Sequence, residues 1–141
     1  MSRVFREGSL SFRYPDNWQI EREDNDHGWT VSVYSPDTAF LTVCLDTDYP
    51  DSERVADTVL EALRSDYPEL EADERAERVA GRWAVGHDIS FFSFDLTNTC
   101  WTRSFDSPEG TVLVLCQVSD IDAEDEPVLR AICTSLRVEG Q

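Results

Sequence analysis

The sequence contains no lysine, only two histidines and a single methionine, and its positive charge is sparse. Twelve arginines stand against 29 aspartates and glutamates, a net charge of −17 over 141 residues. A chain this negative repels phosphate backbones and anionic lipid leaflets, and it has no basic stripe to offset the field. Nucleic acid and membrane insertion are therefore excluded; basic proteins, basic peptides and cations remain. The exclusive use of arginine is read as a compositional bias of the proteome rather than as selection for bidentate carboxylate pairing. No run of about 18 apolar residues occurs, so no segment is expected to span a bilayer.

The motifs of metal binding and catalysis are missing too. Cys44, Cys100, Cys116 and Cys133 are widely spaced, with no C-x-x-C and no histidine at zinc-ligand spacing. Met1–Glu7 has neither an apolar core nor a cleavage site of an export signal. A cytoplasmic, reducing location is expected, with the four cysteines as free thiols packed like small core residues. Nucleophilic catalysis needs a base oriented by a third group. His27 lies in the polar turn Asp24-Asn25-Asp26-His27-Gly28, where a solvated ring is expected. His87 precedes Asp88 in a strand pattern, and strand neighbours point to opposite faces, so Asp88 does not orient it. There is no G-x-S-x-G, H-E-x-x-H, P-loop or G-x-G-x-x-G. No catalytic residue, metal or cofactor is assigned, and the protein is expected not to be an enzyme.

What is present is a foldable pattern. A hydrophobic fraction of 40%, with 11% aromatic, supplies a core for one domain over 1–141. Leu10, Phe12 and Tyr14 alternate as a strand stopped by Pro15, and Trp18 with Ile20 begins another. Trp29, Val31 and Val33 line a third, and Phe40–Leu45 reads as a central strand. Val55, Val59, Leu63 and Tyr67, widened by Ala56 and Leu60, predict a helix over 52–67, capped by Asp51 or Ser52 and ended by Pro68. The segment 70–80 has helical propensity but no apolar stripe. It is read as a strand that turns at Ala80-Gly81 into the alternating Trp83, Val85, His87, Ile89 and Phe91. A hairpin follows over 97–118 around Asp106–Gly110, and a last helix over 123–136 carries Leu129, Ile132 and Leu136. Trp18, Trp29, Trp83 and Trp101 are read as inward-facing anchors, one per strand, the alternative being that one or two stand exposed as partner contacts.

The segment Phe12-Arg13-Tyr14-Pro15-Asp16-Asn17-Trp18 resembles the opening F-x-Y-P-x-x-W of the PsbP/DcrB-like superfamily. Gly81 ahead of a long strand, Arg103-Ser104-Phe105 and the closing Ser135-Leu136 extend the likeness, as does the order of elements. That superfamily includes photosystem extrinsic proteins, a Ran-binding import factor and chaperones of type VI secretion effectors. The order of elements, strands joined by short turns and two amphipathic helices, predicts an α+β fold with an antiparallel sheet of about six strands, and the resemblance implies helices packed on both sides of it. It also implies protein binding without chemistry.

Three acidic stretches remain: Asp24-Asn25-Asp26, Asp46-Thr47-Asp48 with Asp51, and Asp120-Ile121-Asp122. The second begins like an EF-hand loop, but Pro50 and Asp51 stand where an acid and the invariant glycine belong, so no calcium site is read there. Asp46, Asp48, Asp51, Asp120 and Asp122 are expected to face basic groups of a protein or peptide partner. Trp101 and Arg103, on one strand face, are candidate aromatic and cationic contacts. The chain is expected to be a monomer or a weak homodimer. The alternative is a small-molecule-binding domain or an enzyme of unrecognised type, using a pocket between sheet and helix with His87 or Arg103 at its mouth.

Overall fold

The computed structural model describes residues 1–140. In chain order the strands are β1 (Ser2–Glu7), β2 (Leu10–Pro15), β3 (Gln19–Asn25), β4 (Gly28–Tyr34) and β5 (Phe40–Asp46). Helix α1 (Ser52–Asp66) follows, then β6 (Glu71–Val79), β7 (Arg82–Ser93), β8 (Leu96–Ser107) and β9 (Gly110–Ser119). A short 3-10 turn (Asp120–Asp125), α2 (Glu126–Thr134) and β10 (Arg137–Val138) close the chain.

The expected sheet of about six strands is in fact ten strands in two antiparallel sheets. The large one runs β3-β4-β5-β9-β8-β7-β6 and the small one β1-β2-β10. Strands β1 and β10 escape sequence reading because one is largely exposed and the other is two residues long. The expected helix layer on each side is also corrected. One face of the large sheet is covered only in part, where α1 sets Leu60, Leu63 and Tyr67 on Ile89, Phe91, Cys100 and Leu115. The opposite face is covered by the small sheet together with α2. There Phe12 and Tyr14 of β2 and Leu129 and Ile132 of α2 meet Val31, Val43, Phe105, Val114 and Cys116. Each such fully buried aliphatic contributes about 1.5–3 kcal/mol of transfer free energy.

The segment 71–79 is a strand despite its Glu, Ala and Arg content, paired to β7 from Glu71↔Ser90 to Val79↔Arg82. As the outermost strand it carries Glu71, Asp73, Glu74, Arg75, Glu77 and Arg78, which explains its missing apolar stripe. Charged edge strands resist pairing with other chains. Its two-residue turn puts Ala80 at φ +54° and Gly81 at +77°, the backbone of a type I′ hairpin. The β7–β8 turn repeats this at Phe94 and Asp95, with φ of +53° and +62°. Helix α1 is capped as expected: the Asp51 side chain accepts the Arg54 amide at 3.2 Å. The last helix begins later than expected, at Glu126, because Asp120–Asp125 is a 3-10 turn and Pro127 occupies the first helical turn. No helix among the described residues is long and apolar enough to cross a membrane.

Candidate functional site

The five carboxylates expected on one contact surface are split by the sheet. Asp46 pairs with Thr111 at the start of β9, whereas Asp120 and Asp122 follow its end. Ten residues of extended strand separate the two loops by roughly 30 Å. Asp122 is buried, 8% exposed, and accepts hydrogen bonds from the hydroxyls of Thr38 and Ser119. It holds the turn before α2; Asp120 is exposed.

At the other end the acids gather. Asp46 Oδ1 accepts the Asp48 amide at 2.9 Å, and Asp48 Oδ2 lies 2.8 Å from Nδ1 of His27. The hydrogen-bonded Asp48 carboxylate, with Asp46 near it, raises the pKa of the exposed imidazole above its ordinary value. His27, Asp46 and Asp48 bring one ligand atom each within 4.8 Å of one another, one donor short of a closed tetrahedral zinc site. Asp51 caps α1, and Ser52 Oγ donates to Asp106 Oδ1 at 3.1 Å.

Beside this loop stands Trp83. Sequence reading places it inward, but it is 62% exposed, while Trp18, Trp29 and Trp101 are buried. The ring lies on the α1 side of β7, just past the turn, where α1 does not reach. It walls an open cavity of about 550 Å³ with Asp51, Ser52, Glu53, Arg82, Val85 and Asp106. A second groove, lined by Asp51, Glu53, Asp57 and Glu61 together with Arg54 and Thr58, continues along α1. The spacing of Glu53, Asp57 and Glu61 puts three carboxylates on one helical stripe. That stripe is legible in the sequence; the exposure of Trp83 is not.

His87 and Arg103 line two separate sheet–helix pockets: His87 one of about 400 Å³ beside α1, with Glu53, Asp57, Glu74 and Arg75, and Arg103 the groove beside α2. His87 opposes Thr102 and Arg103 opposes Gly86 across the β7–β8 pair, so the two side chains leave opposite faces. His87 is buried toward α1, its Nε2 3.8 Å from Asp57 and its Nδ1 without a hydrogen-bond partner among the described residues. Asp88 is turned away from it, as expected, and bridges Arg75 and Arg103, each at 3.0 Å. Arg103 also donates to Glu77 at 2.6 Å. Trp101 and Arg103 are 4% and 6% exposed and do not stand out as surface contacts. They floor a groove of about 560 Å³ between α2 and the β6–β7 turn, where the Arg130 guanidinium lies 4.2 Å from the Trp101 ring centre.

No sequence-family model and no curated protein sequence matches the chain. Solved structures do. The solution structure of cyanobacterial PsbP (CyanoP) from Synechocystis sp. PCC 6803 aligns over 98% of this chain and 92% of its own, at TM-score 0.60 and 10% identity. The fold is PsbP-like. LpqN of Mycobacterium tuberculosis, involved in cell envelope biogenesis, aligns over 99% of this chain and 86% of its own, at TM-score 0.57 and 15% identity. PA94 of Pseudomonas aeruginosa aligns over 99% of both chains, at TM-score 0.58 and 16% identity. Identities this low carry the fold alone. Within this PsbP-like fold the F-x-Y-P-x-x-W segment is architectural: Phe12, Tyr14 and Trp18 are all core residues, and the Trp18 amide donates to the Pro15 carbonyl to make the turn.

Proposed function

We propose that this PsbP-like domain is a non-enzymatic binding module that takes a basic segment of a protein or peptide on the acidic surface around Trp83. The observation that carries the reading is Trp83 itself, 62% exposed among Asp51, Glu53 and Asp106. An exposed indole with three carboxylates around its cavity, where Arg82 is held by the Asp106 and Gly140 carbonyls, offers an arginine or lysine both a π face and a counter-charge. Asp46 and Asp48 extend the surface beyond the cap, and Glu53, Asp57 and Glu61 extend it along α1. Asp120 lies outside this surface, and Asp122 is committed to the fold.

The test is binding of an arginine-rich decapeptide that carries a fluorescent label, followed by its anisotropy in a stopped-flow instrument. Opposite charges raise the association rate, and salt screens them with a Debye length near 8–10 Å. The on-rate is expected to fall at least about tenfold between 0.02 and 0.3 M salt. Trp83→Ala and the pair Glu53→Gln, Asp57→Asn should each weaken binding about tenfold or more. Salt-independent binding, or full affinity in both variants, refutes the reading.

A further inference from the structure

Cys116 of β9 and Cys133 of α2 meet across the core, with their sulfurs 3.4 Å apart. Cys44 and Cys100 leave the opposite face of the sheet, since they share the parity of Leu113 and Gln117 and not that of Cys116. The pair is asymmetric in access. Cys116 is completely buried, whereas Cys133 is half-buried and opens on the groove floored by Trp101 and Arg103.

The groove differs in charge from the rest of the molecule. Arg78, Arg130 and Arg137 stand around it, and its one carboxylate, Glu77, is engaged by Arg103. Four of the chain's 12 arginines thus converge on one opening of a protein with net charge −17. The thiols are matched to this setting. The hydrogen bond with Cys116 lowers the pKa of Cys133 below the ordinary thiol value, with Trp101, Arg130 and Arg103 adding to the effect. Burial pushes that of Cys116 well up.

We propose that Cys116 and Cys133 are a dithiol site, oxidised to a disulfide by small anionic disulfides that enter the arginine-lined groove, with Cys133 as the attacking sulfur. The Cys133 thiolate attacks one sulfur of the small disulfide RSSR, forming a Cys133–S–S–R mixed disulfide and expelling RS⁻. Cys116, losing its proton, then attacks the Cys133 sulfur and expels the second RS⁻. Two protein thiols lose two electrons and two protons, and RSSR becomes two RSH. The sulfurs close from 3.4 Å to the roughly 2.05 Å of a disulfide by side-chain rotation. The bond staples α2 to a central strand and removes the nucleophile from the groove wall. At about 0.15 M salt the Debye length is near 8 Å, so distant carboxylates are screened while arginines in contact with the reagent are not.

The full chain, freshly reduced, is incubated at that salt with oxidised glutathione, which is anionic, or cystamine, which is cationic, then acid-quenched and weighed intact. Oxidised glutathione should remove about 2 Da, two hydrogens, with peptide mapping joining Cys116 to Cys133. It should react about tenfold faster than cystamine. Cys116→Ala should stop at a mixed disulfide on Cys133, and Cys133→Ala should leave Cys116 unmodified. Arg78→Gln with Arg130→Gln should remove the preference, bringing the ratio of the oxidised glutathione rate to the cystamine rate from about ten toward one. If Cys116→Ala does not fold, Cys116→Ser serves the same purpose. The proposal is overturned by a map that lacks the Cys116–Cys133 link, by first modification at Cys44 or Cys100, by cystamine reacting as fast, or by oxidation that proceeds only at the rate of global unfolding.

Discussion

Asp51 stands both at the start of α1 and at the rim of the cavity beside Trp83, so its substitutions separate capping from partner binding. Its carboxylate accepts the Arg54 amide at 3.2 Å, satisfying one of the orphan donors of the first turn. Loss of such a cap costs about 1 kcal/mol, and loss of a negative charge at the positive end of the helix dipole adds about 0.3–0.5 kcal/mol. Asp51→Ala is therefore expected to destabilise by about 1–1.5 kcal/mol. Unfolding entropy scales with length, and for this chain a change of that size lowers Tm by roughly 3–5 °C. Asp51→Asn keeps a capping oxygen and loses only the charge, so it should lower Tm by about 1–2 °C. Both variants remove the same charge from the surface and should slow peptide association equally, about twofold at low salt. Calorimetry and stopped-flow fluorescence on the three proteins read the two effects separately. Equal destabilisation by Asn and Ala would refute the capping argument, and unequal on-rates would refute the charge argument.

The ion pair of His27 and Asp48 should appear in a proton-NMR titration as an imidazole pKa above the ordinary value, returned toward it by Asp48→Asn. Because the folded-state pKa is raised, the pair's contribution to stability is complete below the ordinary histidine value of about 6.5 and is lost as pH rises through the raised value. A lowered or unshifted ring refutes it. Leu129, with no exposure, sits where α2 meets the large core. Leu129→Ala should cost about 2–5 kcal/mol in urea unfolding, whereas Trp83→Ala, on the surface, should stay within about 0.5 kcal/mol. Comparable losses would mean that Trp83 is part of the packing.

Local sequence determined the elements that have a local cause. Helix α1 follows from an apolar stripe, an Asp51 cap and a terminating Pro68, and the β6–β7 turn follows from Ala80-Gly81 between two runs of strand. The opposite faces of His87 and Asp88 follow from strand alternation alone. The acidic stretches are equally plain in the sequence, as is the excess of carboxylates over arginines. Tertiary structure alone decided which of these groups meet. Antiparallel pairing of β5 with β9 sends Asp46 and Asp120 to opposite ends of a strand, and buried hydrogen bonds from Thr38 and Ser119 take Asp122 out of the surface. Strand parity divides His87 from Arg103, although they pair with adjacent positions. The exposure of Trp83 depends on where α1 stops covering the sheet, and the meeting of Cys116 with Cys133 depends on how α2 docks. Periodicity tells each residue which face of its own element it occupies. It carries no information about which other element will cover that face, because that is set by the packing of whole layers.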